Sequence, residues 1–169
     1  MVLISPRLEY EASYRSYIQE LGDEERYPFP LDFEHDDFPA LLRRLDDLSK
    51  GINVPPNFVP STTYWLVDGR HIVGVSNLRH YLNARIEHHG GHIGLGVRPS
   101  RRGQGHGNRL LALTIQEARR RGIGEIHIHC LRNNLHSAKM IVRNGGILHS
   151  EVTDDGLEGT IQRFRVGAA

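Results

Sequence analysis

Apolar positions at helical spacing open the chain. Leu8, Tyr14, Tyr17, Ile18 and Leu21 fall near one face, which predicts a helix over residues 8–21 with a stop at Gly22-Asp23. Tyr27-Pro28-Phe29-Pro30 breaks regular structure. Asp36-Asp37 and Pro39 then read as a helix start, and the pattern predicts a second helix from Phe38 to Leu48. Asn53 to Pro60 carries three prolines and reads as a loop. From Thr62 the period shortens. Thr63 to Val67 and His71 to Leu78 are strand-like and are joined by Asp68-Gly69, a hairpin signal. Arg79 to His89 is polar and predicts no regular element. Gly91 to Val97 predicts a third strand, with Ile93, Leu95 and Val97 on one face. His92, Gly94 and Gly96 lie on the other, where small residues let another molecule approach the main chain.

The second half carries the clearest helix, from Asn108 to Arg121, with Leu111, Ile115 and Ala118 at i, i+4 and i+7. Arg119-Arg120-Arg121 occupy its last turn, where cations suit the negative end of the dipole, and Gly122 closes it. Glu125 to Leu131 predicts a strand with Ile126, Ile128 and Cys130 on one face and His127 and His129 on the other. Asn133 or Asn134 caps a helix from Leu135 to Arg143 that Asn144-Gly145-Gly146 ends. Ile147 to Thr153, a turn at Asp154-Asp155-Gly156, and Thr160 to Val166 form a closing hairpin. The expected order is α-α-β-β-β-α-β-α-β-β, a single mixed α/β domain over residues 1–169.

Composition narrows the class without naming a function. A formal net charge of +1 gives no reason to expect a nucleic-acid partner. No apolar run approaches the roughly 20 residues that cross a bilayer, and the start of the chain lacks a signal-peptide pattern. Cys130 is the single cysteine, so no internal disulfide forms. A cytoplasmic protein with no membrane partner is expected. Eleven histidines are many, but their spacing matches no zinc-type ligand pattern, and no metal is expected.

The densest chemistry lies in Leu95-Gly96-Val97-Arg98-Pro99-Ser100-Arg101-Arg102-Gly103-Gln104-Gly105-His106-Gly107-Asn108. A strand runs into an arginine- and glycine-rich loop and then into a helix. Main-chain N–H groups of such a loop, with the positive end of the helix, make a receptor for phosphate or pyrophosphate. The loop lacks the Gly-Lys-Ser/Thr ending of a nucleoside triphosphate loop, and its glycines do not complete G-x-G-x-x-G.

Arg102-Gly103-Gln104-Gly105-His106-Gly107 resembles the coenzyme A signature of the GNAT N-acetyltransferase superfamily: Arg or Gln, two residues, Gly, one residue, Gly or Ala. Asn134-Leu135-His136-Ser137-Ala138, closing at Asn144-Gly145, resembles that family's asparagine-led helix. The resemblance is best over residues 62–150; residues 1–60 match only in being helical and would cover the acceptor side. It implies the GNAT acyl-CoA N-acyltransferase fold: an α/β (α+β) domain whose mixed, mostly antiparallel central sheet splays at the coenzyme-binding strands and is flanked by helices. It also implies acetyl-CoA as cosubstrate, an amine acceptor (small molecule or protein), direct acetyl transfer and, by family habit, a homodimer.

By the same resemblance, amides of Gly103, Gln104, Gly105, His106, Gly107 and Asn108 would hold the pyrophosphate, with Arg102 leading the signature. The edge of Leu95, Gly96 and Val97 would pair with the pantetheine arm, Asn134 would hydrogen-bond it, Ser137 would lie beside it, and Arg143, or Lys139, would reach the outer phosphate. Many members carry a tyrosine acid where this chain has Ile141, so Tyr81 or Ser137 is the expected substitute. In place of the family's usual glutamate base the third strand offers His92. Glu34, Asp36 and Asp37 are the expected carboxylates for a cationic amine. A non-catalytic acyl-CoA sensor on the same fold is the alternative, motivated by Ile141.

Overall fold

The computed structural model describes residues 1–153 and 159–167; the expected turn at Asp154-Asp155-Gly156 lies outside them. The elements in chain order are β1 (Val2–Ile4), α1 (Glu11–Leu21), α2 (Phe38–Lys50), β2 (Ser61–Asp68), β3 (His71–Arg79), α3 (Ala84–His89), β4 (Ile93–Val97), α4 (His106–Arg120), β5 (Ile126–Leu131), α5 (Leu135–Arg143), β6 (Ile147–Thr153) and β7 (Thr160–Val166). The helices start and stop where side chains allow. The Asp37 carboxylate accepts from the Ala40 N–H at 2.9 Å, and Gly51 leaves α2 in the left-handed region. Tyr14, Tyr17 and Leu21 of α1, and Phe38, Leu41, Leu45 and Leu48 of α2, carry the buried stripes.

Three differences from the expected order have local causes. Leu8–Tyr10 is a 3-10 turn that precedes α1, and Leu8 is exposed rather than on the apolar face. β1 is only three residues long, too short for a periodic signal, and exists by pairing Leu3 with Leu66 and Ile4 with Trp65. In the polar segment, Asn83 caps the short α3 by accepting from the Ile86 N–H at 2.9 Å.

The strands form two antiparallel sheets, ordered β1-β2-β3-β4 and β5-β7-β6. They touch through one isolated bridge, Gly91 to Ile128, so β4 and β5 splay apart beyond it. α4 spans the split. Its Leu111, Ile115 and Ala118 pack with Leu78 and Ile93 of the first sheet and with Ile126, Ile128 and Phe164 of the second. A Ser76–Thr114 hydroxyl pair at 2.8 Å fixes α4 on β3. The other face of the first sheet packs Trp65, Ile72 and Val75 against α1 and α2. The opening between β4 and β5 thus has a rigid wall on each side.

Candidate active site

The strand β4 leads into the loop through three arginines, and each faces a carboxylate; Arg101 Nη1 lies 4.0 Å from Asp68 Oδ2. Arg98 is 8% exposed; its Nε donates to Glu20 at 2.6 Å and its Nη2 to the Ser16 hydroxyl at 2.6 Å. The Arg98 hydrogen bond pulls the Glu20 carboxyl down to about 2. The Arg102 guanidinium grips both Glu24 oxygens at 3.1 and 2.7 Å, and its Nε donates to the Val97 carbonyl at 3.0 Å. The pairs with Glu20 and Glu24 strap the loop to the end of α1.

Beyond the strap, Gly103 and Gly105 adopt φ of +74° and +79°. A side chain at either would meet no atom within 4 Å, so what demands glycine is the left-handed backbone. Gly105 precedes α4, and the first intrahelical bond runs from the Arg109 N–H to the Gly105 carbonyl at 3.3 Å. The N–H groups of Gly105, His106, Gly107 and Asn108 therefore have no partner in the helix, and no side chain caps them. The Gln104 side chain turns back to the Ser100 carbonyl at 3.2 Å and sits 3.3 Å from the His106 ring. What the loop offers an anion is main chain, at the positive end of α4.

Helix α5 runs from this cradle to the splay. Near the cradle, Met140 packs where a Cβ on Gly107 would stand (3.1 Å), and the Asn144 amide donates to Asn108 Oδ1 at 2.9 Å. At its start, Asn134 Oδ1 accepts the Ser137 N–H at 3.1 Å. That bond uses the oxygen and leaves the amide NH₂ as donor. Asn134 and Ser137 line a cleft of about 440 Å³ at the splay, whose other walls include Glu25, Tyr27, His89, His129 and Cys130. Burial pushes the Cys130 thiol up to about 11. Ile141 is fully buried and packs in the core beneath α4, away from this cleft.

Several expected residues take other roles. The bare face of β4 admits the chain's own Tyr27-Pro28 segment rather than a ligand. A Cβ on Gly94 would lie 2.9 Å from the Tyr27 hydroxyl, and one on Gly96 would overlap the Tyr27 carbonyl oxygen. His92, the expected base, is 6% exposed and its Nδ1 accepts the His127 N–H at 2.9 Å. Burial pushes its pKa down to about 4. The neutral ring then carries its proton on Nε2 and has no lone pair to offer an amine. Tyr81 is 55% exposed and is not among the residues that line the cleft.

None of the acidic trio lines the cleft, and two of the three carboxylates serve the main chain: Asp37 caps α2 and Glu34 Oε1 accepts the His35 and Asp36 N–H groups at 3.0 and 3.3 Å, while Arg15 donates to the Asp36 main-chain carbonyl at 3.0 Å. Arg143 is exposed in the last turn of α5. The carboxylate that lines the cleft is Glu25. No periodicity or motif singles out Glu25; His129 gave one signal, a histidine alternating with His127 on an otherwise apolar strand. Among the described residues no group of three His, Cys, Asp or Glu side chains is placed to hold a metal, and no helix is long and apolar enough to cross a membrane.

A splayed sheet whose fourth strand feeds a glycine loop, a helix and an asparagine-led helix defines an acyl-coenzyme-binding class of fold. The sequence matches the family model described as "Acetyltransferase (GNAT) family" over residues 14–145, and the chain belongs to that family. Similar solved structures agree in fold. A spermidine N-acetyltransferase SpeG mutant from Vibrio cholerae is 11% identical, with 99% of this chain and 95% of that chain covered at a TM-score of 0.67. The putative acetyltransferase yncA from Salmonella typhimurium, solved with acetyl-CoA, is 13% identical, with 99% and 94% covered at 0.66. RimL, a ribosomal L7/L12 α-N-protein acetyltransferase solved with coenzyme A, is 14% identical, with 98% and 93% covered at 0.70. No curated protein matches the sequence.

Proposed function

We propose that this acetyltransferase moves an acetyl group directly from acetyl-CoA to an amine. The path of α5 carries the reading. The last turn of this helix and its C-cap pack on Gly107 and the Asn108 side chain, through Met140 and Asn144, beside the N–H groups of Gly105 to Asn108; the other end places Asn134 and Ser137 in the cleft. Its nine residues span about 14 Å at the usual rise. A ligand with a pyrophosphate at one end and a reactive group at the other, joined by an amide-bearing arm, fits that separation.

In this reading the amides from Gly103 to Asn108 hold the pyrophosphate, the Asn134 NH₂ donates to an arm carbonyl, and Leu95 to Val97 supply a strand edge for that arm. Arg102 orders the loop through Glu24 rather than by touching the ligand. Arg143 is the cation for an outer phosphate. The thioester that acetyl-CoA supplies is an activated acyl group. The protein holds donor and amine together, which by itself accounts for much of the acceleration. The Ser137 hydroxyl is the cleft's donor near the departing sulfur. With a thiol leaving group of pKa near that of cysteine, about 8.5, no strong acid is required.

The acceptor enters between Glu25, Tyr27 and β5. The neighbours' names span a polyamine and a protein amine. The test follows that range: acetyl-CoA is incubated with spermidine, simple primary amines and short peptides with free N-termini, and thiol release is recorded. Amine-dependent release supports the proposal. A non-catalytic acyl-CoA sensor is the second reading, favoured by the apolar Ile141 at the position that resembles the family's tyrosine acid. Protection from thermal unfolding by acetyl-CoA with no thiol release would select it. Protection by ATP but not by coenzyme A would remove both.

A further inference from the structure

Arg98, Arg101 and Arg102 each face a carboxylate, but one partly buried arginine beside the cleft does not. Arg79 is the last residue of β3, and its main-chain N–H donates to the His92 carbonyl at 2.8 Å, which fixes it beside the start of β4. Its Nη1 donates to the Gly91 carbonyl at 2.9 Å and reaches the Gly90 carbonyl at 3.4 Å. On its other side the guanidinium carbon lies 5.8 Å from the centre of the Phe29 ring. The guanidinium therefore sits between the Tyr27–Phe29 segment and the turn that follows His89, and Tyr27 and His89 are both walls of the cleft.

The rest of this cation is unused. Its Nε and Nη2 meet no acceptor among the described residues, and neither is sealed off from solvent. These two nitrogens form one edge of the guanidinium, with parallel N–H bonds at the spacing of the two oxygens of a carboxylate. A cation drawn out of water without a counter-ion costs stability. Burial pushes the Arg79 pKa below its ordinary value, and the titratable group that works against this is the Tyr27 hydroxyl, not a carboxylate. We propose that Arg79 is a specificity-determining residue that receives a carboxylate on the acceptor, so that the preferred amine is an amino acid or short peptide rather than a polyamine. The inference rests on the acetyl-transfer reading above.

The charges around the cleft agree with such an acceptor. Glu25 is the carboxylate in its lining, whereas Arg79 and Arg163 both bear on its His129 wall. A polyamine would set its further cations against two arginines with one carboxylate to offset them. An amine that carries a carboxylate matches both signs: Glu25 draws the ammonium end on entry, and the open edge of Arg79 takes the anion. Arg79 lies away from the glycine loop, so it acts on the acceptor and leaves the donor alone.

The test uses acceptors that differ only in the anion: alanine and its amide, glycylglycine and its C-terminal amide, with spermidine as the anion-free reference. In wild type, kcat/KM for the better acid should exceed that of its amide by about 10- to 100-fold, mostly through KM. Arg79→Gln should bring acid and amide level, with coenzyme A affinity unchanged. Arg79→Lys keeps the charge but loses the fork, and should retain part of the preference. A ratio taken within one variant does not depend on how much of it folds; if Arg79→Gln fails to fold, the wild-type ratio and Arg79→Lys decide. Amides or spermidine turned over as well as the acids, or a preference that survives Arg79→Gln, overturns this inference and leaves acetyl transfer standing. Absence of thiol release from wild type with every amine removes the acetyl-transfer reading, and this inference with it.

Discussion

In the proposed reading the glycine loop is the donor end of the site and the cleft its acceptor end, and the two are built in opposite ways. The donor end is local and made of main chain: consecutive N–H groups at the start of α4, shaped by two glycines at positive φ. The acceptor end is assembled from side chains far apart in sequence, Glu25 and Tyr27 from the α1–α2 connection and His129 and Cys130 from β5. A main-chain receptor depends on conformation and tolerates almost any side-chain change that preserves it. A side-chain receptor depends on every contributor and on the packing that aims it.

Substitutions can separate the two ends. The largest effect is expected for Gly96→Val, which puts a side chain into the Tyr27 carbonyl oxygen. Overpacking against main chain should cost about 3 kcal/mol or more in urea unfolding. A Tyr27 segment that simply moves aside would show instead as a raised KM for the amine with unchanged stability. Gly105→Leu acts on the donor end alone. It forces a left-handed leucine, at a cost of about 1–2 kcal/mol, with no neighbour to strike. We expect at least tenfold weaker coenzyme A binding by calorimetry and an unchanged KM for the amine. Unaltered affinity would remove the loop from the pyrophosphate site.

The seam between the ends responds to acid. The Glu20 carboxyl falls from an ordinary 4.5 to about 2 in the folded protein, chiefly through its hydrogen bond from Arg98. A depressed carboxyl pKa stabilises the fold fully above the unfolded value, and that contribution fades as pH drops from about 4.5 toward 2. Removing the charge with Glu20→Gln should cost about 2 kcal/mol at pH 7 and flatten the acid limb of the urea midpoint. An acid limb as steep as wild type's would break the assignment. The smallest effect is expected for Asp37→Ala, about 1 kcal/mol of stability from a lost cap. Its amine KM should match wild type; a raised value would return the acidic trio to the acceptor site.

The same contrast explains what the sequence disclosed. Glycine spacing, the dipole end of α4 and the cap at Asn134 are properties of neighbouring residues, so a linear reading reaches them. The splay at β4 and β5 is implied only by the family resemblance, because the order of strands and helices does not say where a sheet parts. The three-residue β1 carries no period and is visible only through its partners on β2. Gly94 and Gly96 read as room for another molecule, and tertiary structure fills that room with the chain's own Tyr27. His92 and His129 look alike as strand histidines. Only the fold shows that His92 accepts the main-chain N–H of His127, 35 positions along the chain, while His129 meets the main chain of His89. Glu34, Asp36 and Asp37 form the conspicuous acidic cluster, yet Asp37 caps α2 and Glu34 turns to neighbouring N–H groups, while the inconspicuous Glu25 reaches the cleft.

The strap at the start of the loop has a consequence for ionic strength. Arg98 and Arg102 each face a glutamate and Arg101 faces Asp68 at 4.0 Å, so the three pairs bring no net charge to the cradle. The attraction left to a pyrophosphate there comes from oriented N–H dipoles at contact range, which dissolved ions screen poorly compared with exposed charges. Added salt should thus loosen the hold of an arginine on a distant phosphate long before it disturbs the grip of the loop.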